Sequence, residues 1–178
     1  MKSFKSKSGG RATKLALAFV LIGMLVAGTG MAFAADPPAG AKVEANPPPA
    51  EVVEKSNVVF DNHVLVLQLR LQCAQVMDQI RHKIQELRAA GTQIPEETRA
   101  AIKESRDAIQ AGKDVLRATV TQMEAERNAL HEDRLAKNWT GVLEHLDNII
   151  AIQGTRLDES AHILAQLQNI LNLLESVG

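Results

Sequence analysis

Tyrosine is absent from this chain of 178 residues, tryptophan and cysteine occur once each, and there are four phenylalanines. Phe4, Phe19 and Phe33 all lie in the first 34 residues, so Phe60 and Trp139 are the only aromatics downstream. Sugar platforms and single-strand base-stacking surfaces are built from exposed aromatic rings. The chain therefore offers no carbohydrate stacking site. The lone Cys73 excludes an intramolecular disulfide. It also stands too far from the N-terminal apolar run to carry a lipid anchor.

Glycine is just as sparse after residue 34. Gly40, Gly91, Gly112, Gly141, Gly154 and Gly178 are isolated from one another, which excludes a phosphate-cradling loop and a dinucleotide fingerprint. There is no G-x-S-x-G elbow, no H-x-x-x-H and no C-x-x-C. The chain is expected not to be an enzyme and to need no cofactor.

The N-terminus has a distinct design. Lys2, Lys5, Lys7, Arg11 and Lys14 precede any acidic residue, and an apolar run from Leu15 to Ala27 follows. That run is shorter than the roughly 20 residues that span a bilayer, and Ala32-Phe33-Ala34 supplies small residues where a signal peptidase needs them. Residues 1–34 read as a signal peptide cut between Ala34 and Ala35. The expected address is periplasmic or extracellular, with membrane attachment only through an uncleaved signal.

Removing those five bases leaves 15 lysines and arginines against 21 acids, a net charge of about −6. The remaining bases are scattered among acids, so no basic stripe exists for nucleic acid.

Residues 35–56, with Asp36-Pro37-Pro38 and Asn46-Pro47-Pro48-Pro49, read as a Pro-rich flexible linker. Glu51 and Lys55 form an i,i+4 pair able to start a helix early. Residues 57–178 are expected to form an all-α domain of three helices, at about 57–90, 96–136 and 139–177. The architecture is an antiparallel up-down-up bundle or a helical hairpin coiled coil.

In the first helix Val66, Leu69, Cys73, Val76, Ile80 and Leu87 follow spacings of three and four, widened by Met77 and Ile84. Its first part is apolar on several faces, with Val64, Leu65, Val66, Leu67, Leu69 and Leu71 close together. Helix is preferred to strand because no second strand is available to pair with it. Gly91 suits the position after a helix end and Pro95 the first residue of the next helix.

In the second helix Ile102, Ile109, Leu116, Met123 and Leu130 are seven apart. Beside them Ser105, Gly112 and Thr119 are small enough to admit a neighbouring backbone. The third helix repeats Leu143, Ile150, Leu157, Leu164 and Leu171 in one row and Leu146, Gln153, Ser160, Leu167 and Leu174 in another, with Ile149, Ile163 and Ile170 alongside. The heptad phase slips between the second and third helices. With Asn138 as a cap and Gly141 after it, a tight turn is expected at 137–141. Asn138-Trp139-Thr140 matches a glycosylation sequon, but capping accounts for that asparagine.

One set of side chains suggests chemistry. Asp78, His82 and Glu86 lie at i, i+4 and i+8, a face able to present carboxylate and imidazole to zinc or copper, and Asp158 with His162 repeats half of it. The simpler reading is a solvated ion-pair ladder. His63, His131 and His145 stand alone in the sequence. Two functions fit the whole: an exported protein acting by protein–protein interaction or self-association, or an extracytoplasmic stress protein, either a helical chaperone or a metal-responsive binder.

Overall fold

The computed structural model describes residues 47–177. The signal peptide, its cut at Ala34 and Ala35, and the linker as far as residue 46 lie outside the described residues. Three long helices make up the rest: α1 Ala50–Ala89, α2 Glu96–Ala136 and α3 Trp139–Glu175. Among the described residues there is no strand, and no helix is long and apolar enough to cross a membrane. The described residues form an all-α bundle.

Helix α1 begins at Ala50 rather than at the expected Asn57, so residues 50–56 belong to the bundle and not to the linker. The run of prolines ends at Pro49, which serves as N-cap, and every residue of α1 after it can donate its amide. Burial explains why the early turn is stable: Val52 is among the most enclosed side chains of the protein. Lys55 reinforces it, with Nζ at 2.6 Å from Asp147 Oδ1 on α3 and 3.5 Å from Glu51.

The α1–α2 connection is a helix-ending turn. Gly91 has φ +68°, and the Thr92 amide donates to the Leu87 carbonyl at 2.9 Å, closing the last turn of α1. Pro95 stands at the N-cap of α2, one position earlier than expected, with Glu96 and Glu97 on the positive end of the helix dipole. The second connection is tighter than the sequence suggests. Lys137 alone adopts the left-handed conformation (φ 55°), Asn138 caps α3, and Gly141 is already inside the first turn of that helix.

Helix α3 is the spine. It packs along both α1 and α2, whereas no Cα of α1 comes within 8 Å of one in α2. Matching contacts show the directions. Residues 55, 59 and 73 of α1 meet 147, 153 and 160 of α3 in rising order, so these two helices are parallel. Residues 105, 119 and 126 of α2 meet 169, 156 and 145 in falling order, so α2 is antiparallel to both. The topology is up-down-up.

The core divides into two apolar clusters. One, nearer the Gly91 turn, contains Val76, Leu87, Ile109, Ile163, Leu167, Ile170 and Leu174. The other, nearer the Lys137 turn, contains Val52, Val59, Met123, Val142, Leu146 and Ile149. On α3 the deepest residues are those of the Leu146 row and of the row containing Ile149, Ile163 and Ile170. The Leu143 row is only partly covered. A spine helix must bury two flanks, and these are the rows that face α1 and α2. Ser105, Gly112 and Thr119 are buried, as their size led us to expect: a Cβ at Gly112 would come within about 3.1 Å of Ile163. Cys73 is half-buried, its thiol 3.9 Å from the Ser160 carbonyl, and burial pushes its pKa up, the setting of a packing residue rather than a reactive thiolate.

Candidate functional site

Two adjacent rows of α1 have opposite fates. Val52, Val59 and Val66, seven apart, are 2, 8 and 5% exposed against α3. Val53, Phe60 and Leu67, each one residue later, are 48, 58 and 46% exposed. One residue on a helix turns the side chain by about 100°, which carries the second row off the bundle. Val64 is partly covered and Leu71 is exposed, so the outward stripe runs 53, 60, 64, 67, 71. That is the spacing of a coiled-coil seam, with Val53, Phe60 and Leu67 in d-type places and Asn57, Val64 and Leu71 in a-type places.

Such a seam wants a helix against it. Full burial of a Val, Leu or Phe is worth about 1.5–3 kcal/mol, so the four side chains left about half exposed, Val53, Phe60, Leu67 and Leu71, forgo roughly 4 kcal/mol. The sequence showed the crowding of apolar residues from Val58 to Leu71. It hid the row because Val53, its first member, lay in what read as linker. On the other flank of the buried row, a shallow groove between α1 and α3 is lined by Leu65, Leu69, Leu157 and Ala161.

The carboxylate-histidine face of α1 is dispersed. His82 Nε2 stands 3.5 Å from Asp78 Oδ2 with both side chains largely in solvent, while Glu86 is 3.8 Å from Lys83 Nζ instead of converging on the imidazole. Among the described residues no group of three or more His, Cys, Asp or Glu side chains is placed to hold a metal ion. Asp78, His82 and Glu86 thus form surface ion pairs, each worth a few tenths of a kcal/mol.

One histidine that looked solitary in sequence has partners in space. His145 on α3 places Nδ1 2.8 Å from Glu126 Oε2 and Nε2 3.4 Å from Asp133 Oδ2, both on α2. Asn148 also donates to Glu126, at 3.2 Å, and Asn138 to Asp133, at 3.0 Å. The imidazole beside it holds Glu126 below the usual carboxylate range, against a smaller opposing effect of burial. Asn138 is the N-cap anticipated, its Oδ1 accepting the Gly141 amide at 3.4 Å. A Cβ on Gly141 would overlap the Asp133 carboxylate, so glycine here makes room for the clamp.

Between the two apolar clusters lies a polar layer. Gln153, buried, donates Nε2 to the Val59 carbonyl at 3.0 Å, and its Oε1 is a buried acceptor without a donor. Arg156 donates Nη1 to Thr119 Oγ1 at 2.8 Å. In sequence this layer shows as Arg156 interrupting the row Val142, Ile149, Ile163, Ile170, a signal the heptad reading passed over. No protein-family model, curated protein or solved structure matches this chain.

Proposed function

We propose that this is an exported, non-enzymatic helical-bundle protein that acts by protein–protein interaction in the cell envelope or outside the cell, and that the outer stripe of α1 is the surface it uses. The observation that supports this is the second heptad row, Val53, Phe60 and Leu67 with Leu71, left exposed beside a partly covered Val64 on a helix whose adjacent row is buried. The occupant proposed is α1 of a second copy, laid parallel. A seam is self-complementary under two-fold symmetry, and exposed Asn57 occupies the a-type place where one polar residue fixes parallel register at some cost in stability.

Light scattering on the exported chain at tens of micromolar tests this reading. A dimer is the expected result, and a strict monomer would contradict it. The stress-protein alternative draws on the same stripe. A helical chaperone would suppress aggregation of an unfolded client at equimolar amounts, and would lose that effect when Phe60 and Leu67 are made serine. A metal-responsive version requires heat on zinc titration and a rise in Tm.

A further inference from the structure

Helix α2 repeats the arrangement of α1 with charge in place of apolar side chains. Its inner row, Ser105, Gly112, Thr119, Glu126 and Asp133, meets α3 at Asn169, Ile163, Arg156 and His145. One residue later come Arg106, Lys113, Val120, Arg127 and Arg134, turned about 100° off that contact, and Arg99 extends the row toward the start of the helix. Arg127 is partly covered and the others are exposed. Lys103 and Arg117, the remaining bases of α2, are exposed in the row next to it. All seven lysines and arginines of this helix thus lie in two adjacent rows.

The acids of α2 are sorted the other way. Of nine, only Glu96 and Glu124 share the two basic rows; Glu126 and Asp133 face His145, and Glu97, Glu104, Asp107, Asp114 and Glu132 occupy the other edge. In sequence the bases looked scattered among acids because neighbours in the chain are turned apart on the helix. Seven bases against two acids leave an excess of five positive charges along about 50 Å of one ridge. Among the described residues Arg99 is paired with Glu96 at 3.7 Å, and Arg117 alone of the seven reaches across to the acidic edge, 2.8 Å from Asp114. The rest of that edge lies about a helix diameter away, roughly the screening length at physiological salt, and does not cancel the ridge.

We propose that the basic ridge of α2 is a docking surface for a bilayer rich in anionic phospholipid. A straight ridge is convex, and a plane can meet it along its whole length. Headgroups diffuse to the bases at whatever spacing these have, whereas a rigid protein partner would have to match their repeat. Single-stranded polyanions are held in grooves with aromatic faces, and these two rows supply neither groove nor aromatic. Val120, 45% exposed in the middle of the row, breaks the line of charge with a side chain that a headgroup layer accepts. The ridge lies on α2, apart from the α1 stripe, so it does not depend on how copies of the chain associate.

Co-sedimentation of the exported chain, from Ala35 onward, with vesicles of phosphatidylcholine alone or with about 30% phosphatidylglycerol tests the ridge. Binding to the anionic vesicles at about 50 mM salt, at least about tenfold tighter than to the neutral ones and lost at about 0.5 M, is expected. A base held near an anionic surface is worth about a fivefold gain, so Arg106→Gln combined with Lys113→Gln should weaken binding about 25-fold. Glu104→Gln combined with Asp107→Asn raises the net charge by as much as the first pair lowers it, but on the other edge, and should change binding by less than about twofold. All four positions are exposed, so both double variants should keep the parent's helicity and Tm. If the first pair loses helicity, Lys103→Gln with Arg134→Gln takes its place with the same expected weakening. Equal binding to the two kinds of vesicle, parent-like binding by the ridge variants, or an edge variant that gains as much as the ridge variants lose would overturn the ridge. Saturable binding to duplex DNA without binding to vesicles would also overturn it, in favour of a nucleic-acid partner.

Discussion

Two rows of one helix, a single residue apart, separate what holds this protein together from what it offers to others. Val52, Val59 and Val66 are closed against α3, whereas Val53, Phe60 and Leu67 repeat the same chemistry and face outward. Apolar character alone therefore does not identify the core of α1; rotation about the helix axis does. The inner row is paired because α3 lies along it, and the outer row carries equal capacity for pairing with no helix of its own chain against it.

The sharpest way to break the comparison is to charge each row in turn. Val59→Asp buries an unpaired carboxylate against α3 and should cost about 4 kcal/mol or more, enough to unfold most of the population in a urea titration. Phe60→Asp, one residue on, should leave the fold of the monomer within about 0.5 kcal/mol while abolishing association. Equal destabilisation by the two would erase the distinction between the rows.

Truncation gives a gentler version. Ile149→Ala opens a cavity in the cluster that holds Val52 and Val59 of the inner row and should cost about 2–5 kcal/mol by chemical denaturation. Leu71→Ala, at a position 60% exposed, should leave folding nearly unchanged and weaken the dimer instead.

The α2–α3 flank gives a third, smaller effect that should bypass α1 altogether. Because His145 depresses the pKa of Glu126 in the folded state, the stabilisation is complete above the ordinary carboxylate pKa of 4.5 and is lost as pH falls through the folded value. Melting curves should show an acid-side decline that is shallower in Glu126→Gln, with the dimer-to-monomer ratio the same in both proteins at neutral pH. Lys55→Ala should be the mildest of the set. Its ammonium is held above the ordinary 10.5 by the Asp147 carboxylate, but the pair is open to solvent and screened by salt, so no resolvable Tm change is expected at physiological ionic strength.

Helix number, topology and the hairpin after α2 were legible in sequence because each rests on local rules. Gly91 ends one helix with a positive φ, Asn138 caps another, and the heptad phase slips where the chain turns. The small row Ser105, Gly112, Thr119 was legible for the same reason, since size sets how closely two backbones approach. What was not legible depends on which helix meets which. The Leu143 and Leu146 rows both read as the seam of α3 with Ile149, Ile163 and Ile170 beside it, but the flanks that α1 and α2 occupy bury those isoleucines and leave the Leu143 row only partly covered. The start of α1 was misplaced because a run of prolines signals a linker, while burial of Val52 by α3 is a tertiary effect with no local mark. His145 appeared solitary for the same reason: its partners, Glu126 and Asp133, lie on α2.

The most direct test of the outer row is a crosslink. In a Cys73→Ser background, Phe60→Cys places one thiol at a d-type position of the parallel seam, where two copies bring it within disulfide range. Mild oxidation should give a disulfide-linked dimer rapidly and nearly completely, while Leu135→Cys, a control at an exposed apolar site on α2, should link slowly or not at all. Equal, slow linking at both positions would contradict an α1 seam.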